Sequence, residues 1–260
     1  MILEGKTVLV SGVGPGLGGE VARVAKRDGA RVLIGARNES RLQEIAKGID
    51  PEGQSVVACP VDVTDKAACA HFVETAEERF GGVDALVSVA ALDTLFGNLE
   101  TTTAEDWQGT IGVNVIGTLQ LVQAAVPAMK RRGGGSVVLI GSQSYRLPPP
   151  NKQLAYASSK GALISAMYHL ASELGPDRIR VNTVVPTWMW GPPVQMYVKW
   201  QAKERGVSED EIKGEITSGM PLGEIPADDD VAEAVAFFCS DRARLITAQT
   251  LAVDSGEVMG

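Results

Sequence analysis

The chain has 260 residues, 45% apolar and 22% charged, a globular composition that excludes disorder and fibrous repeats and can bury a core without disulfides or metal. A net charge of −8, with Lys130-Arg131-Arg132 as the only basic run, excludes a nucleic-acid or anionic-membrane partner, which needs a concentrated cationic face. The 3 cysteines lack metal spacing, and no apolar run reaches the ~18 residues of a membrane span, so a soluble, cytoplasmic protein with reduced thiols and no metal is expected.

In chain order, β-branched runs alternate with amphipathic stretches of helical length. Strands are expected at Thr7–Val10, Val32–Ala36, Ser55–Cys59, Ala85–Val89, Val137–Ile140, Arg180–Val185 and Leu251–Val253. Helices are expected near 17–28, 39–48, 65–80, 104–130, 156–174 and 228–240, with Asp65 and Asp228 placed as N-caps. This rhythm predicts βαβ units with right-handed crossovers: an α/β fold, a single doubly wound domain over residues 1–260, its seven-stranded parallel sheet covered on both faces.

The first strand runs into Ser11-Gly12-Val13-Gly14-Pro15-Gly16-Leu17-Gly18-Gly19, and a helical pattern follows. Strand, glycine loop and helix together form the context of a dinucleotide-phosphate site. Two registers overlap, Gly14/Gly16/Gly19 and Gly12/Gly16/Gly18. The second is preferred because Gly12 follows the strand by one residue, where the tight turn falls; Gly16 then admits a pyrophosphate and Gly18 lets helix and strand close up. The next strand ends Gly35-Ala36-Arg37-Asn38, with no acid to hold ribose hydroxyls. Arg37 is a planar, permanent cation suited to a 2′-phosphate, so NADP(H) is favoured as cofactor, with NAD(H) the alternative.

Tyr156-Ala157-Ser158-Ser159-Lys160 puts Tyr and Lys about 40° apart on one helix face. A phenol with an ordinary pKa of about 10 is a poor acid–base catalyst at neutral pH, and a neighbouring ammonium lowers that value. The pair follows the fifth strand, whose end carries Ser142, where ligands sit in open α/β sheets. Ser144 is the rival serine and is assigned to the substrate side. His71 and His169, the 2 histidines, are isolated and make no metal site.

With these pieces in place, the chain resembles the short-chain dehydrogenases/reductases from Lys6 to Gly256. The matching segments are Ser11-Gly12-x-x-x-Gly16-x-Gly18, Asp62-Val63, Asn114-Val115-Ile116-Gly117, Ser142, Tyr156-x-x-x-Lys160, Pro186 and Asp254-Ser255-Gly256. The resemblance implies a Rossmann-type oxidoreductase assembled as a homotetramer or homodimer, with a Ser-Tyr-Lys-Asn tetrad. Tyr156 would exchange the proton with the substrate oxygen, Ser142 would hydrogen-bond that oxygen, Lys160 would tune Tyr156 and hold the nicotinamide ribose, and Asn114 would bind a relay water. It further implies cofactor contacts from Ser11, Gly12, Gly14, Gly16, Leu17, Gly18, Asp62, Val63, Ala90, Pro186 and Thr187. The chain departs from the family at Ser88-Val89-Ala90-Ala91, where Asn-Asn-Ala-Gly is usual, at Thr187, where Gly is usual, and at Gly191, where a Thr near the nicotinamide carboxamide is expected.

One segment, 186–226, breaks the βα rhythm. It opens Pro186-Thr187-Trp188-Met189-Trp190-Gly191-Pro192-Pro193, continues with Val194, Tyr197, Val198 and Gln201 at helical spacing, and offers Ser208 and Glu211 as a capping box. With Trp200 close by, it holds three of the 4 tryptophans, and Trp188 and Trp190 are expected to line a substrate lid. The expected reaction is hydride transfer between NADP(H) and a bulky hydrophobic ketone or secondary alcohol. An NAD-dependent alcohol dehydrogenase of the same family and a catalytically silent nucleotide-sensing scaffold are the alternatives.

Overall fold

Along β1 (Thr7–Ser11) the side chains alternate between two buried clusters, Val8 and Val10 entering one and Leu9 the other. The same alternation recurs in β2 (Arg31–Gly35), β4 (Ala85–Ser88) and β5 (Gly135–Ile140), where Leu33, Leu86 and Leu139 face one way and Ile34, Val87 and Ile140 the other. Strands apolar on both faces suit a sheet covered twice. That is what the computed structural model, which describes residues 1–259, contains. With β3 (Val56–Ala58), β6 (Ile179–Pro186) and β7 (Thr250–Val253), seven parallel strands lie in the order β3-β2-β1-β4-β5-β6-β7.

Helices α1 (Leu17–Arg27), α2 (Glu39–Ile49) and α9 (Asp228–Cys239) cover one face through Val21, Val24, Leu42, Val231 and Val235. Helices α3 (Lys66–Phe80), α5 (Thr118–Arg131) and α6 (Leu154–Leu174) cover the other through Phe72, Leu121, Leu163 and Met167. The strand order reverses direction at β1, so the loops after β1 and β4 diverge and leave the crevice in which such sheets bind ligands.

Three details differ from expectation. The edge strand β3 is shorter than Ser55–Cys59, since an edge has only one partner to hold it. The helix expected over 104–130 is α4 (Ala104–Ile111) running through a π-helical turn (Gly112–Gly117) into α5. That wider turn carries the buried Asn114, and Gly117 sits against Val63, where a Cβ would come within 2.7 Å of Val63 Cγ2. The N-cap of α9 is Ala227, not Asp228, with the Asp230 carboxylate accepting the Ala227 N–H at 2.8 Å. Asp65 does cap α3, accepting from Ala67 N at 2.8 Å, and Ser208 and Glu211 do form a capping box.

By length and composition the run Ala104–Arg131 could cross a membrane, but here its apolar residues Leu121, Val122, Ala125 and Met129 are buried against the sheet and α3. The 186–226 segment forms α7 (Pro192–Arg205) and α8 (Glu209–Thr217), closed around Val198, Ala202 and Ile212. Pro192 and Pro193 stand in the first turn of α7, where a missing N–H costs nothing.

Candidate active site

Gly12 carries φ +82°, and a Cβ there would meet Ala90 N at 2.2 Å, so only glycine fits the turn after β1. A Cβ at Gly18 would meet Gly12 O at 2.5 Å, which is the close packing expected of that residue. Gly14 and Gly16 are different: nothing lies within 4 Å of a Cβ at Gly14, and the nearest atom at Gly16 is Asp228 Oδ2 at 3.7 Å. Side-chain-free backbone with open space in front of it, at the N-terminus of α1, is a cradle that fits a pyrophosphate.

The glycine loop separates two cavities. A groove of about 940 Å³ is lined by Gly12, Gly14, Arg37, Asp62, Val63 and Ala90 among others. Arg37 is exposed and makes no hydrogen bond or ion pair among the described residues. Arg41, from α2, borders the same groove, and the sequence reading did not single it out. Asp62 accepts from Thr64 N and Oγ1 at 2.9 and 2.7 Å, and these bonds, with Arg37 nearby, hold its carboxyl below the usual range. Ser11 does not face the groove: it is fully buried at the end of β1, and its Oγ has no partner.

The second cavity, about 550 Å³, lies over the C-terminal end of β5 and contains Gly16, Leu17, Ser142, Ser144, Tyr156, Thr187 and Trp188. Ser142 begins a short 3-10 turn, its Oγ accepting from Ser144 N at 3.3 Å, while Tyr156 comes from the first turn of α6. The Ser142 and Tyr156 side chains both line this cavity. Burial pushes the Tyr156 phenol up to about 12, with the neighbouring Ser142 hydroxyl opposing it and the Asp93 carboxylate adding to it. Lys160 lies beneath, almost fully buried, its Nζ 5.5 Å from the Tyr156 ring centre and donating to Ile140 O at 2.8 Å. Burial lowers Lys160 to about 8, so the ammonium still predominates at neutral pH.

Asn114 is fully buried, and its amide is already committed: Oδ1 accepts from Leu92 N at 2.6 Å, and Nδ2 donates to Leu92 O at 3.2 Å and Ser159 Oγ at 2.9 Å. The side chain thus ties the π-helical turn to α6 one residue before Lys160. Pro186 is buried as the last residue of β6. The Thr187 hydroxyl donates to the Glu257 carboxylate, which the tail presents because Asp254 accepts from Gly256 N and Val258 N at 3.0 Å.

Trp188 lines the cavity and packs on Tyr197 with ring centres 5.2 Å apart. Trp190, grouped with it from the sequence, does not line the cavity. It packs against the small core of Val198, Ala202 and Ile212 in the 186–226 segment, its ring under Lys213 Nζ at 4.8 Å. Met189 lines the cavity instead. Asp93, Arg41, Asp228 and Glu257 border the two cavities without having been singled out for it; none belongs to a local motif, and only folding brings them there.

The family model described as Enoyl-(Acyl carrier protein) reductase matches residues 12–257. Dehydrogenase/reductase SDR family member 4 from Mus musculus is 34% identical over 98% of this chain and 88% of its own length. The 2,3-dihydro-2,3-dihydroxybenzoate dehydrogenase of Bacillus subtilis is 32% identical over 99% and 98%, and the L-rhamnose 1-dehydrogenase (NAD(P)(+)) of Azotobacter vinelandii 34% over 98% of each. A short-chain type dehydrogenase/reductase from Mycobacterium ulcerans superposes with a TM-score of 0.88 at 28% identity, over 99% of this chain and 91% of that one. The chain belongs to the short-chain dehydrogenase/reductase family of Rossmann-fold oxidoreductases, which use NAD(P)(H).

Proposed function

We propose that this oxidoreductase transfers a hydride between NADP(H) and the carbonyl or secondary alcohol of a bulky hydrophobic substrate, with Tyr156 as general acid and base. The observation that carries it is the Ser142–Tyr156 hydroxyl pair at the floor of a cleft walled by Phe96, Leu147, Pro149, Trp188 and Met189, with the Lys160 ammonium behind it. The bound dinucleotide would supply or accept the hydride. Arg37, Arg41, Val63 and the backbone at Gly14 and Gly16 would hold it, the cation of Lys160 would draw the Tyr156 proton toward release, and Ser142 would orient the substrate oxygen. Tyr156 is protonated at neutral pH, as the acid of the reductive direction must be. The large apolar side chains Ile116, Leu154 and Tyr168, left exposed on the π-helical turn and α6, support the homotetramer or homodimer.

NADP(H) preference rests on the unpartnered Arg37 beside Arg41 in the groove that would take the adenosine end. Titration of tryptophan emission with NADPH and NADH tests it, since Trp188 lines the cleft. NADPH should bind about tenfold or more tightly, the worth of one or two charge-assisted hydrogen bonds, and Arg37→Ala should remove most of that margin. Tighter binding of NADH to the unaltered protein would contradict it.

A further inference from the structure

Asp228 is the first helical residue of α9, and its side chain borders the catalytic cleft. Its Oδ2 would lie 2.5 Å from a Cβ at Gly191, at the start of the lid, and 3.7 Å from a Cβ at Gly16, in the glycine loop. The carboxylate thus lies directly against the Gly191 backbone, between the glycine loop and the start of the 186–226 segment. The carboxylate has no hydrogen-bond or ion-pair partner among the described residues. Burial raises its pKa, and its charged neighbours Glu20 and Asp229 add to the effect.

The groove holding Arg37 ends at Gly14 and Pro15, and the cleft holding Tyr156 begins at Gly16. A dinucleotide joining the two would cross the loop in front of Asp228, and the Gly16 backbone would hold its pyrophosphate. A lone, half-buried carboxylate facing that passage is costly unless a donor reaches it. Phosphates only accept, and the ribose hydroxyls would be taken up by Tyr156 and Lys160 on the proposed reading, whereas the carboxamide amino group is an N–H donor on the ring itself.

We propose that the Asp228 carboxylate accepts the carboxamide N–H of the nicotinamide, fixing which face of the ring is turned toward the substrate. Asp228 is then a binding and positioning residue, and the assignment rests on the dinucleotide reading above.

Calorimetric titration with NADP⁺ and with its 3-acetylpyridine analogue, in which a methyl replaces the amino group, tests this without turnover. The unaltered protein should bind NADP⁺ about tenfold more tightly than the analogue. Asp228→Ala should weaken NADP⁺ by about that factor and leave the analogue unchanged, while Asp228→Asn, whose amide oxygen still accepts, should keep part of the preference. Thermal unfolding of both variants establishes that they are folded. The same preference in Asp228→Ala as in the unaltered protein, or tighter binding of both dinucleotides to it as expected of bare repulsion, would overturn the assignment alone. Binding of neither dinucleotide by the unaltered protein would overturn the cofactor reading and this assignment with it.

Discussion

Tyr156→Phe is expected to lower turnover by about 10²- to 10⁴-fold, the range for removing a positioned general acid or base, while NADPH affinity stays within about twofold. The substitution removes one oxygen and leaves the ring, so the packing of the first turn of α6 persists. The pH profile adds a second signature. With Tyr156 pushed up to about 12 in the free protein, the oxidative direction needs the phenolate and should speed up as pH rises, with the slope vanishing in the Phe variant. Turnover retained within tenfold would remove Tyr156 from its assigned role.

Lys160→Met is expected to abolish most turnover and at the same time stabilise the protein. The buried ammonium has its pKa lowered from 10.5 to about 8, so the unfolded chain binds its proton more tightly than the folded one between those values. At neutral pH the shift corresponds to about 3 kcal/mol against folding, and leaving Ile140 O without its donor returns about 1 kcal/mol, so a net gain of roughly 2 kcal/mol is expected. The gain should be full below about pH 8 and shrink as pH rises toward 10.5, where the lysine is neutral in both states. Denaturant unfolding of both proteins across that range measures it, and a Met variant less stable at every pH would show that Lys160 is structural rather than held for its charge.

Much of the fold is legible in the sequence because each βα unit announces itself. Apolar strands such as Val8–Val10 and Val137–Ile140 can be buried on both faces only in a covered parallel sheet, and the turn at Gly12 has no other residue available to it. Tyr156 and Lys160 are legible for the same local reason, four residues apart on one helix. Residues placed by tertiary structure were invisible. Asp228 reads as a helix cap by position, and only the placing of α9 beside Gly16 and Gly191 brings its carboxylate to the cleft. Trp188 and Trp190 are two residues apart, yet one lines the cleft and the other packs within the 186–226 segment, where Trp190 N donates to Pro226 O at 2.8 Å and its side chain sits against the core formed by α7 and α8. The π-helical turn at Asn114 had no signature in the apolar periodicity, since it adds one residue to a turn without changing which residues are apolar.

The central claim is that the Tyr156 cleft carries hydride transfer, and NADPH deuterated at nicotinamide C4, separately on each face, tests it most directly against a panel of aryl and long-chain ketones. One face should deliver its deuterium to the carbinol carbon of an alcohol formed in step with NADPH consumption. Dinucleotide binding without consumption of either NADPH or NADH by any carbonyl in the panel would contradict it.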